Sequence, residues 1–78
     1  MDKEQIFEKV LETYSSAFND DETYDIETEF QDIESWNSME NVVFLSKLET
    51  VFGIKFKTGD MVSIKSFEDV VNCIHSKL

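Results

Sequence analysis

A chain of 78 residues, 41% of them hydrophobic, has room for one small packed domain. Its formal net charge of −10 argues against nucleic acids and anionic membranes as partners, because both would repel it, and favours proteins with basic patches. The only cysteine, Cys73, cannot form an internal disulfide, and the only histidine, His75, cannot by itself build a histidine-rich metal site. We therefore expect no metal.

The N-terminal segment lacks the basic region and apolar stretch of a signal peptide. The longest wholly apolar run, residues 42–45, is too short to cross a membrane. We therefore expect a cytoplasmic protein.

The first predicted helix spans about residues 3–17, where apolar residues recur at the three-and-four spacing of one buried face. Residues 19–36 follow as a long acidic loop without a clean period, and we expect residues 20–25 to be mobile. This loop nevertheless holds five large apolar side chains, so part of it should pack against the helices. They are Tyr24, Ile26, Phe30, Ile33 and Trp36.

A second helix, about residues 38–52, is predicted from a capping-box pattern at Asn37 to Glu40 and a glycine stop at Gly53. A short helix at about 60–63 and a last helix at about 66–77 complete the chain. The predicted fold class is all-α, a small four-helix bundle of three longer helices and one short helix.

Residues 36–54 resemble the Asp-Ser-Leu motif and the following helix of acyl carrier proteins, the carriers that bind phosphopantetheine. The distance from the modified serine to the phenylalanine that closes that helix is matched by Ser38 and Phe52 without a gap. Residues 64–70 are similar to the family's entry into its last helix, and Phe30 occupies the place of a loop phenylalanine common in the family.

The resemblance implies an antiparallel bundle that carries 4'-phosphopantetheine covalently on Ser38, and implies no catalytic residue. The expected partners are a phosphopantetheinyl transferase and enzymes that load and transfer acyl groups, and the carrier is expected to be a monomer. Asn37 and Met39 flank the attachment site, where the family usually has Asp and Leu. Asn37 keeps the capping function but lacks a charge that loading enzymes read. The tryptophan before the motif, Trp36, is similar to what variant carriers of specialised biosynthetic pathways have there, so the resemblance implies such a pathway.

The family's second helix is typically rich in acids that meet basic partners, whereas this one has few. We hypothesise a more apolar docking surface along Met39, Val43 and Phe44, with steering by the acidic loop. The candidate docking residues are Glu40, Val43, Phe44, Lys47 and Glu49.

Three alternatives stand beside this interpretation. In the first alternative, Ser38 is an ordinary residue of the first helical turn, as many serines that follow a capping residue are. The second-ranked function is an interaction module that keeps the carrier fold and binds partners without modification. An enzyme ranks third, because the sequence shows no nucleophile–base pair, metal cluster or glycine-rich phosphate loop.

Overall fold

The computed structural model describes residues 2–19, 24–33 and 36–78. Within these ranges the chain forms four α-helices, one turn of 3-10 helix and no strand, which confirms a small, mostly helical domain. The elements are α1 Lys3–Phe18, the 3-10 turn Phe30–Asp32, α2 Ser38–Phe52, α3 Thr58–Ser63 and α4 Phe67–Lys77. The radius of gyration, 11.3 Å, is close to the value of about 11.5 Å expected for a folded chain of this length.

The start of α1 is held by a capping box that joins Asp2 and Gln5. Asp2 Oδ1 accepts from Gln5 N at 2.9 Å, and Gln5 Oε1 accepts from Asp2 N at 3.1 Å. The helix ends at Asn19, whose φ of 52° is left-handed. One face of α1 is buried, and it packs against α2 and α4.

The start of α2 is capped by Asn37, whose Oδ1 accepts from Glu40 N at 2.9 Å. The reciprocal half of the predicted capping box, from Asn37 N–H to the Glu40 side chain, is not formed within the described residues. The helix ends at Gly53, whose φ of 66° is in the region that glycine adopts without strain.

Aromatic side chains join α1, α2 and α4 at the centre of the domain. Tyr14 of α1 lies edge-on to Phe44 of α2 at 5.3 Å and to Phe67 of α4 at 5.8 Å between ring centroids. Phe30 adds a fourth ring, 4.8 Å from Phe67. All four side chains are buried, so this cluster fixes how the three long helices meet.

The segment before α2 is tied to the start of α4 by backbone hydrogen bonds. Phe30 N donates to Lys65 O at 2.9 Å, and Phe67 N donates to Thr28 O at 3.2 Å. Phe30 and Ile33 are buried, which agrees with the expectation that part of the acidic loop packs. Of the stretch expected to be mobile, residues 20–23 lie outside the described residues.

Side chains also fix the short helix α3. Asp60 Oδ2 accepts from Lys57 N at 2.9 Å and pairs with Lys77 Nζ of α4 at 2.9 Å. These contacts lie at the first turn of α3, and the helix begins at Thr58, two residues before the predicted start.

Candidate functional site

Ser38 is the first residue of α2, and its side chain is exposed. The capping position before it belongs to Asn37, whose side chain already binds the helix N-terminus. Ser38 Oγ makes no hydrogen bond within the described part of the chain. The Ser38 hydroxyl therefore stabilises no contact in this part of the chain, and it faces solvent.

The backbone at this position suits a phosphate. The first N–H groups of a helix lack intrahelical partners, and the positive end of the helix dipole lies there. Glu40 N is taken by the Asn37 side chain and Asn41 N by the Asn37 carbonyl oxygen at 3.2 Å. The N–H groups of Ser38 and Met39 remain without a partner among the described residues, so a phosphodiester on Ser38 fits the site.

An open depression of about 570 Å³ lies beside Ser38. Its walls come from three separate parts of the chain: the 3-10 turn, the start of α2 and the residues just before α4. The lining residues are Glu29, Phe30, Gln31, Trp36, Asn37, Ser38, Asn41, Ile64 and Lys65. No sequence pattern pointed to this depression, because its walls are far apart along the chain.

The exposed face of α2 is apolar next to Ser38. Met39 is 76% exposed, Val42 60% and Val43 41%. Val42 therefore lies on the surface together with Met39 and Val43. Lys47 is exposed farther along the helix, and Glu40 is half-buried. These three apolar residues, Met39, Val42 and Val43, are called the α2 patch below.

Two of the candidate docking residues, Phe44 and Glu49, make contacts within the fold. Phe44 is fully buried, and its ring lies 5.3 Å from Tyr14 and 5.9 Å from Phe30. Each residue turns a helix by about 100°, so Phe44 faces α1 while Val43 faces outward. Glu49 is half-buried, and its Oε2 accepts from Phe56 N at 2.7 Å, so it holds the connection after α2.

Cys73 and the metal-ligating side chains are the other groups that could carry chemistry. Cys73 is half-buried, and burial raises the pKa of its thiol, which keeps it protonated and weakly nucleophilic. Within residues 2–19, 24–33 and 36–78, no three metal-ligating side chains cluster. In those same ranges, no helix has both the length and the apolar character needed to span a membrane.

Comparisons with known proteins identify no relative. No family model matches the chain, and no curated protein matches it. The candidate site therefore stands on its own geometry and on the residues that resemble the carrier motif.

Proposed function

We propose that the chain is an acyl carrier protein whose Ser38 bears a phosphopantetheine arm. The observation that carries the proposal is the exposed Ser38 hydroxyl on the first turn of α2, which Asn37 relieves of the capping role. A transferase needs a hydroxyl that it can reach and that no helix contact depends on.

Loading would proceed by attack of Ser38 Oγ on the β-phosphorus of coenzyme A. The new bond is Ser38 Oγ–P, and the P–O bond of the pyrophosphate breaks to release adenosine 3',5'-bisphosphate. The serine proton passes to a base of the transferase. Ser38 thus supplies the nucleophilic oxygen, while the base and the metal ion belong to the transferase.

The chain's own residues would hold and present the arm. Asn37 keeps the first turn of α2 ordered, and the N–H groups of Ser38 and Met39, which have no partner among the described residues, favour the phosphodiester. The arm supplies a terminal thiol that carries acyl groups as thioesters, and tethering raises their effective concentration at a docked enzyme. We place this activity in the cytoplasm and in a specialised biosynthetic pathway.

Partner enzymes would dock on the α2 patch. The exposed residues of α2 include no carboxylate, because Glu40 and Glu49 are half-buried. The Glu49 side chain also accepts a hydrogen bond from Phe56 N. An apolar contact therefore supplies the docking energy, and the acidic residues of the 24–33 segment supply long-range steering toward basic partners. Phe44 has no part in this surface, because it is buried.

The test is the intact mass of protein co-expressed with a promiscuous phosphopantetheinyl transferase. We expect one phosphopantetheinyl increment on the wild-type chain and none on Ser38→Ala. Ser46→Ala is the matched control, because Ser46 is also exposed on α2. An increment that survives Ser38→Ala, or no increment on the wild-type chain, contradicts the proposal.

The alternative function is an unmodified interaction module of the same fold. It is favoured by Asn37, which lacks the usual acid, and by the exposed α2 patch, which suits a protein contact without any arm. This alternative predicts no mass increment, and partner binding that Ser38→Ala leaves unchanged but Val43→Asp weakens.

A further inference from the structure

The depression beside Ser38 differs from a second open depression of about 460 Å³ between α1 and α2. Both have volumes within the range of small-molecule sites, about 300–1,000 Å³. Ser38 lines the first depression but not the second. A group attached to Ser38 therefore starts on the rim of the first one.

The walls of this depression are held in place by contacts already described. The Phe30 N–Lys65 O hydrogen bond, 2.9 Å, joins the wall before α4 to the 3-10 turn. Trp36 stacks on Phe30 with ring centroids 4.5 Å apart and an angle of 15° between the planes. The site is therefore preformed, and an occupant would not have to organise it.

Resting on the proposed function, we propose that the phosphopantetheine arm folds back into this depression, with Lys65 facing its phosphodiester. Phe30, Trp36 and Ile64 provide an apolar wall for the geminal methyl groups. The amide side chains of Asn41 and Gln31 match the two amides of the arm in hydrogen-bonding capacity.

The charges around the depression favour the phosphodiester at Lys65. Among the described lining residues Lys65 is the one cation, and its ammonium group makes no ion pair within the described part of the chain. Glu29 is the one carboxylate among these lining residues, so their charges balance, whereas the whole chain has a net charge of −10. An anionic arm is repelled less here than over the acidic surface elsewhere.

Lys65 also offers a clean variant. Its structural contacts are made by the backbone, since Lys65 N donates to Asp69 Oδ2 at 3.0 Å and its carbonyl accepts from Phe30 N. Lys65→Ala therefore removes the ammonium group and leaves both wall contacts in place. Lys9→Ala is the matched control, because Lys9 lines the other depression.

The experiment is an isotope-filtered NOE measurement on holo-protein with a labelled chain and an unlabelled arm. We expect NOEs from the geminal methyl groups to Trp36 and Ile64, and weaker NOEs in Lys65→Ala. In Lys9→Ala the NOE intensities should equal those of the wild-type chain.

A second readout uses Trp36, the only tryptophan. The half-buried indole should be less accessible to acrylamide in holo-protein than in apo-protein, and Lys65→Ala should reduce this difference. A full mass increment without NOEs to Trp36 or Ile64 overturns the inference and leaves the carrier function standing. NOEs to the α1–α2 depression also overturn the inference and leave the carrier function standing. The absence of any mass increment overturns both the inference and the carrier function.

Discussion

At the start of α2 the cap is Asn37 and Ser38 follows it, whereas at the start of α4 the cap is Ser66 itself. Ser66 Oγ accepts from Asp69 N at 3.2 Å, and Ser66 is half-buried beside Glu29, with which it forms an isolated antiparallel bridge. Ser38 is exposed, and its Oγ makes no hydrogen bond in the described residues. A shift of one position thus separates a serine that holds a helix from a serine that is free to react.

The largest expected effect on stability comes from a substitution in the core and not from one at a helix cap. Phe44→Ala removes a fully buried ring between α1 and α4 and should lower the free energy of unfolding by about 3–5 kcal/mol. Val43→Ala, one position away and partly exposed, should cost less than about 1 kcal/mol. Urea unfolding followed by circular dichroism measures both. Equal losses for the two variants would mean that Phe44 does not face the core.

The next effect concerns the surface next to Ser38. Val43→Asp puts a carboxylate into the α2 patch and should lower kcat/KM for transferase loading about tenfold or more, which is ~1.4 kcal/mol. Glu40→Lys should change the same constant less, because Glu40 is half-buried at the side of the patch. A larger loss from Glu40→Lys than from Val43→Asp would show that docking is electrostatic.

The two serines themselves give the third prediction. Ser66→Ala should cost about 1 kcal/mol, because it removes a side chain that caps α4. Ser38→Ala should leave the free energy of unfolding within about 0.5 kcal/mol of wild type, because it removes no bond. Chemical denaturation at one pH compares the pair directly. If Ser38→Ala were as destabilising as Ser66→Ala, Ser38 would have a structural role.

A substitution of Asn37 provides a reference for the stability losses of Ser66→Ala and Ser38→Ala. Its amide is the cap of α2, so Asn37→Ala should resemble Ser66→Ala, with a loss of about 1 kcal/mol. Asn37→Asp keeps the cap and restores the charge usual in carriers, so it should preserve stability and change only the loading rate.

The smallest expected effect is a difference in how the starts of α2 and α3 make stability depend on pH. The Asn37 amide does not titrate, whereas the pKa of Asp60 at the start of α3 is lowered, first by the hydrogen bond from Lys57 N and then by Lys77. A lowered folded-state pKa stabilises the fold above the unfolded carboxyl value of about 3.9, and this stabilisation is lost as pH falls through the folded-state value.

Asp60→Asn should therefore flatten the decline of stability with pH below about 4, as measured by urea unfolding at several pH values. Glu68→Gln is the control, since Glu68 is exposed and makes no ion pair within the described residues. A wild-type slope in Asp60→Asn would show that the Lys57 and Lys77 contacts do not persist in solution.

The helices and their caps were within reach of the sequence. Three-and-four spacing located α1, the pattern beginning at Asn37 and the stop at Gly53 located α2, and the predicted last helix begins within one residue of α4. These features are local, so a single sequence contains them.

The buried face of α2 and the walls of the depression were not predictable in the same way. Residues 42–45 are four consecutive apolar residues that together point in all directions around the helix, so only packing against Tyr14 decides that Phe44 is buried. The pairing of Phe30 with Lys65 joins residues 35 positions apart and has no periodic signature. The mistaken placement of Phe44 and the unforeseen depression share this non-local cause.

The most direct test of the account is the position of the modification in the chain. Tandem mass spectrometry of the holo-protein should place the phosphopantetheinyl group on Ser38 alone, although Ser35 and Ser46 lie close to it in sequence. An arm found on either neighbouring serine, or an unmodified Ser38 in the presence of an active transferase, would contradict the account.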